Sequence, residues 1–136
     1  MAAATIELQK AVFTALSGDA ALIAALGGSR IHDHAPAHVP FPYITFGRSA
    51  SSDWSTASED GAEHFFTIHV WSKEKGKTQA AAIMEMVRAL LHDAALTLPG
   101  HVLVNLRAEF GEIRFDDDHD VHHGTVQFRA VTEPAG

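Results

Sequence analysis

Histidine is the residue type that most invites a chemical reading of this chain, with ten among 136 residues. Two clusters have ligand-like spacing. The first is His32-Asp33-His34, with His38 close behind. On a strand, His-x-His sets two imidazoles on one side, and Asp33 could orient one of them. A metal centre needs three or four convergent ligands, so the plainer reading is a surface loop between proline-rich turns. The second cluster is Asp116-Asp117-Asp118-His119-Asp120-Val121-His122-His123. It mixes hard carboxylate oxygens with imidazole nitrogens. It lacks the turn glycine and the distal Glu that a calcium-binding EF-hand loop places at fixed spacing. The plainer reading is a solvated hairpin tip between strands ending near Phe115 and starting near Thr125, with adventitious divalent binding at most.

The remaining candidates are sparser. His64 and His69 fall on one strand, and His69 shares its face with Phe65 and Trp71, which suits a satisfied, half-buried ring. No Cys and no Gly-x-Ser-x-Gly accompanies it to serve as a nucleophile. Gly27-Gly28-Ser29-Arg30 is too short for a phosphate loop and lacks the Lys-Ser/Thr pair, so the glycines read as helix stops. Glu109 and Glu112 could do acid–base work in a dry cleft. On a strand they more simply face outward, with Arg107, Arg114 and Arg129 as cross-strand partners. Trp54 sits in a polar loop with Asp53, Glu59 and Asp60 around it. Either that loop folds back over a sheet, or Trp54 anchors an interface.

These residues are carried by a readable set of elements. Residues 5–17 form a helix with Ile6, Val12, Phe13 and Leu16 on one half and Glu7, Lys10 and Thr14 opposite. Asp19 caps a second helix, Ala20 to Leu26. Arg30 to Asp33 suits a short strand, and the three prolines of residues 35–42 exclude helix or central strand. Long strands run from Tyr43 to Ser51 and from Ala62 to Trp71, with a loop over 52–61 between them. In the second, Phe66, Ile68 and Val70 oppose Phe65, Thr67, His69 and Trp71, so both faces should be at least partly covered. The main helix spans Lys77 to Asp93, with Ile83, Met84, Met86, Val87, Leu90 and Leu91 as its apolar stripe. Two strands follow, Val102 to Asp116 and Thr125 to Thr132. Apolar parity switches after Phe110, which predicts a β-bulge at or near Gly111. The order predicts one domain over 1–136 of α+β class: an antiparallel sheet of four to five strands, with the main helix and the N-terminal helices packed on it.

Bulk properties narrow the function. A length of 136 residues with 46% apolar content supports one real core. A net charge of −7 without a dense basic stripe disfavours tight binding to nucleic-acid backbones. With no Cys, disulfides and thiolate metal sites are excluded, and synthesis in a reducing cytosol is expected. No apolar run reaches the ~18 residues that suggest a membrane span, and Met1-Ala2-Ala3-Ala4 lacks a basic signal region.

Several stretches in order carry a family resemblance: Leu22-Ile23-Ala24-Ala25-Leu26-Gly27-Gly28-Ser29-Arg30-Ile31 leading to Asp33, then Pro40-Phe41-Pro42-Tyr43-Ile44. Val70-Trp71-Ser72 follows, directly before the main helix, and the chain closes on Phe128-Arg129-Ala130-Val131-Thr132-Glu133. Together they resemble the small tail-terminator, or tail-completion, proteins of long-tailed phages and gene transfer agents, over about Thr5 to Glu133. The resemblance implies a structural protein with no catalytic residue, no metal and no cofactor. It implies a hexameric ring that caps the head-proximal end of a tail tube and meets the head–tail connector protein. DNA would pass through that ring without specific binding. Such a protein would be made in the bacterial cytoplasm and built into the particle tail, with no membrane contact. Six copies at −7 each would surround the channel with negative charge, to which Asp116, Asp117, Asp118 and Asp120 are expected to contribute. Asp53, Trp54, Glu59 and Asp60 are the expected protein interface. The competing readings are a small α+β enzyme or metal-assisted module using the histidine clusters, and a free-standing protein-binding module.

Overall fold

The structure, a computed structural model, describes residues 3–135. Among them are three helices and five strands: α1 (Ala4–Ser17), α2 (Ala20–Leu26), β1 (Ile31–His32), β2 (Tyr43–Asp53), β3 (Ala62–Ser72), α3 (Thr78–Leu91), β4 (His101–Asp116) and β5 (Val121–Pro134). The strands form one sheet in the order β1-β2-β3-β5-β4. Four long strands alternate antiparallel, as expected, and the two-residue β1 adds a parallel edge beside Ile44 and Thr45. β3 is central. Its neighbours are β2 and β5.

Local chemistry explains the helix boundaries. Asp19 accepts a 2.9 Å bond from the Leu22 amide, capping α2, and Gly27 closes the helix in a left-handed conformation at φ 81°. α3 is positioned from the preceding strand: Ser72 Oγ donates to Gln79 Oε1 at 2.6 Å. At its other end α3 caps the first half of β4. The Asp93 amide donates to the Leu106 carbonyl at 2.7 Å, and His92 Nδ1 accepts from the Ala108 amide at 3.0 Å.

All three helices lie on one side of the sheet, and the core is the layer between. It contains Leu8, Val12 and Leu16 of α1, Leu22 and Leu26 of α2, and Ile83, Val87 and Leu91 of α3. From the sheet come Ile44, Phe66, Ile68, Val70, Leu106, Val126, Phe128 and Ala130. Phe66 and Phe128 stack at 5.2 Å. Each such side chain contributes about 1.5–3 kcal/mol of burial.

Two sequence expectations are corrected and one is extended. Ile6 and Phe13 do not join the core; they are 48% and 42% exposed, while Glu7 is buried and pairs with Lys10 at 3.6 Å. The irregularity expected at or near Gly111 is present as a register shift between Ala108 and Phe110, and what the expectation lacked is a second shift between Leu103 and Asn105. The hairpin joining β4 to β5 turns in four residues, 117–120, because Val121, His122 and His123 already pair as strand.

Candidate assembly surfaces

One face of the sheet carries the helices. The other is built from the opposite parity: Tyr43 and Thr45 of β2, Phe65, Thr67, His69 and Trp71 of β3, and His123, Thr125, Gln127 and Arg129 of β5. Phe110, Glu112 and Arg114 of β4 complete it. Its centre holds a column of rings. Tyr43 stacks on Trp71 at 6.1 Å, Trp71 on His123 at 3.9 Å, and His123 meets His69 at 4.8 Å. The polar atoms in the column find partners. Trp71 Nε1 donates to Thr45 Oγ1 at 3.0 Å, and His69 Nδ1 lies 2.6 Å from His123 Nε2, one ring donating to the other. Gly47 makes the column possible, because a Cβ there would collide with the His69 ring and the Thr67 hydroxyl.

His69 and His123 are therefore structural in kind. Burial pushes His69 below the ordinary imidazole value. Burial does the same to His123, helped by the nearby charges of His69 and Arg114 and opposed by Glu112 and Asp116. His64 lies on the helix side, buried, with Nε2 2.9 Å from Thr132 Oγ1. Burial first, then His101, lowers its pKa. Among the described residues no three His, Asp or Glu side chains converge in a metal-binding arrangement, and the His32-Asp33-His34 cluster stays at the end of β1.

The two groups of expected contact residues sit at opposite ends of the sheet. Ala62 pairs with Thr132 and Asp53 at one end, while Ser72, His122 and Phe115 share the other. At the first end, Asp53 is the last residue of β2. It accepts from the Ser55 hydroxyl and amide, and those bonds lower its pKa. Trp54 does fold back: its ring lies 5.0 Å from the Arg129 guanidinium, which is held by Glu63 at 2.6 Å. Even so, Trp54 remains 51% exposed, and Glu59 and Asp60 are exposed beside it. At the second end Asp116 turns into the hairpin. It accepts from the amides of Asp118 and His119 and from His119 Nδ1 at 2.9 Å, and His119 is the main cause of its lowered pKa. Asp117, Asp118 and Asp120 point to solvent.

A feature not foreseen from the sequence is the lateral margin of β4. Val102, Val104 and Phe110 are each about half exposed, and Phe115 is 48% exposed. A groove of about 520 Å³ runs between β4 and α3, lined by Ala81, Met84, Ala108 and Ile113 and rimmed by Arg88, Glu109 and Glu112. Exposed apolar side chains on a sheet margin are unusual for a protein that works alone. The parity of β4 carried this signal, but nothing in the sequence says which strand lies at the edge.

Comparison with known proteins agrees on one kind of molecule. The family described as tail completion protein gp17 matches residues 10–133. A chain from a structure titled "Virion of native gene transfer agent (GTA) particle" is 31% identical, covers 98% of this chain and 99% of its own, and superposes with a TM-score of 0.87. The structure of bacteriophage SPP1 gp17 protein shares the fold, with a TM-score of 0.64 at 22% identity over 93% of this chain and 89% of its own. The comparison with curated proteins gives no match.

Proposed function

We propose that this chain, which belongs to the tail completion protein gp17 family, closes the end of a phage or gene-transfer-agent tail tube as a six-membered ring and joins it to the head connector. Family membership makes it a structural virion tail protein and not an enzyme. The observation that carries the proposal is the end-to-end likeness, at 31% identity, to a chain of a gene-transfer-agent virion. The geometry is of the right kind for a ring. The sheet has two different lateral margins, and the exposed loops lie at its two ends. With the strands running near the ring axis, the Trp54 loop and the acidic hairpin would be presented at opposite rims. One rim would meet the tube and the other the connector. Asp117, Asp118 and Asp120 would then add negative charge where DNA passes, and Asp53, Trp54, Glu59 and Asp60 would contact a neighbouring protein.

The test is native mass measurement and negative-stain imaging of the protein mixed with tail tubes, together with particles made without it. Six-copy rings at one tube end, and overlong or headless tails in their absence, are expected. A protein that stays monomeric with tubes present, or tails of normal length that join heads without it, overturns the proposal.

A further inference from the structure

We infer that neighbouring copies join edge to edge, the free half of β2 with α1 in one copy meeting the free half of β4 with its groove in the next. This rests on the ring reading and names the surfaces that would build it.

Both margins are half covered and half free. β1 occupies the outer side of β2 only at Ile44 and Thr45, so Phe46 to Asp53 have no outer strand among the described residues. The residues that end α3 meet the outer side of β4 at Leu106 and Ala108, and beyond that contact Glu109 to Asp116 have no outer strand among the described residues. Each free stretch is eight residues long. The direction also fits. Four long strands alternate from β2 to β4, so β2 of a second copy set beside β4 continues the antiparallel pattern. Two unlike surfaces on one subunit make a head-to-tail contact, the kind that closes into a ring.

The side chains complement one another. Arg48 is exposed on the outward face of β2, and Glu112 is exposed on the same face of β4. In an antiparallel register that sets Arg48 opposite Glu112, Ala50 falls opposite Phe110 and covers it. On the helix side, Thr5 and Gln9 of α1 line a cleft against Phe46 and Ser49. Ile6 and Phe13 project from that flank of the helix, exposed. They would enter the groove of the next copy, whose walls are Ala81, Met84 and Ile113. The exposed apolar residues of α1 and the apolar groove beside β4 thus account for each other.

The test is charge exchange. Arg48→Glu, Glu112→Arg and the double variant are compared with the unmodified protein by native mass measurement across a concentration series, with tail tubes present and absent. Folding is checked by circular dichroism. Each single reversal places like charges across every contact and should raise the concentration for ring formation about tenfold or more, and the double variant should recover it. Amide exchange should slow on assembly within Phe46 to Asp53 and Glu109 to Asp116. If folded single variants assemble like the unmodified protein, or the double variant fails to recover, the edge contact is wrong while the ring stands. If the unmodified protein forms no ring even with tubes, the ring reading falls and this contact with it.

Discussion

Mild acid should destabilise this protein well before its carboxylates titrate. His64, His69 and His123 all have folded-state pKa values below the ordinary imidazole value, and burial is the leading cause for each. A depressed pKa means that the unfolded chain takes up the proton first. The three groups contribute nothing above their unfolded pKa, about 6.5. As pH falls below it, stability is lost until the folded-state values are passed. Each proton bound only by the unfolded chain costs about 1.4 kcal/mol per pH unit. His64 counts in full, since it is buried against Thr132. His69 and His123 count for somewhat less than two. At 2.6 Å a single imidazolium can still donate to its neutral partner, but two would face each other as donors. About 1.4 kcal/mol per pH unit is thus the ceiling for each such proton, reached only where the unfolded chain carries it and the folded chain does not, and it is set against the 5–15 kcal/mol typical of a domain.

The assay is urea unfolding at pH 7.5, 6.5, 6.0 and 5.5, at a concentration where the protein is monomeric. The midpoint should fall steeply below pH 6.5 with the slope m unchanged. His69→Gln combined with His123→Gln should remove more than half of that pH dependence. A midpoint constant down to pH 5.5 would refute the reasoning, as would a double variant keeping the full slope.

Other substitutions separate folding from assembly. Gly47→Ala forces a Cβ into His69 and Thr67 and should cost about 1–3 kcal/mol in thermal or urea unfolding. Gly124→Ala meets only the flexible Met84 side chain, so its cost should be smaller and should largely vanish when Met84 is shortened to Ala. Asp19→Ala removes the cap on α2 and should cost about 1 kcal/mol. Trp54→Ala loses a cation–π contact of about 0.5–1 kcal/mol and should leave a folded monomer. Failure of that monomer to cap tubes would support the loop as a contact, and normal capping in the imaging assay would remove it.

The legible parts of the sequence were those with strong local signals. Asp19 and Gly27 bracket α2 at its observed limits, and the Ile83–Val87–Leu91 spacing places α3 against the sheet. Large apolar groups on both faces of Ala62 to Trp71 called for cover on both sides, and β3 is indeed the central strand. Polar character misled at the hairpin: His122 and His123 look like loop residues, yet one is buried and the other is stacked on Trp71. α1 misled in the opposite way. Its apolar residues cover more than half the helix, but the core takes only the Leu8–Val12–Leu16 stripe. Ile6 and Phe13 stay exposed, which the proposed contact with a second copy would account for. The margins of β4 were beyond reach, since edge position is a property of topology and not of local pattern.

The distribution of unsatisfied chemistry separates an assembly part from an enzyme on this fold. An active site gathers polar groups with perturbed pKa values in a concave, water-poor place and leaves them free to meet substrate. Here five of the perturbed groups are engaged internally. His69 and His123 bond to each other, His64 faces Thr132, and Asp53 and Asp116 are tied to their own turns. The groove between β4 and α3 combines apolar walls with a charged rim and opens on the sheet margin. Among the described residues the folded chain leaves two buried polar atoms, Asn105 Oδ1 and His122 Nδ1, without a hydrogen bond, and it leaves exposed the apolar side chains of Ile6, Phe13 and Phe110 and the backbone along two half-free strands. Exposed apolar side chains and free strand edges are groups that another protein surface can satisfy, and in the proposed edge-to-edge contact a second copy would do so. With an even number of long alternating strands, every junction around a ring can be antiparallel, whereas an odd number would set parallel neighbours at each one.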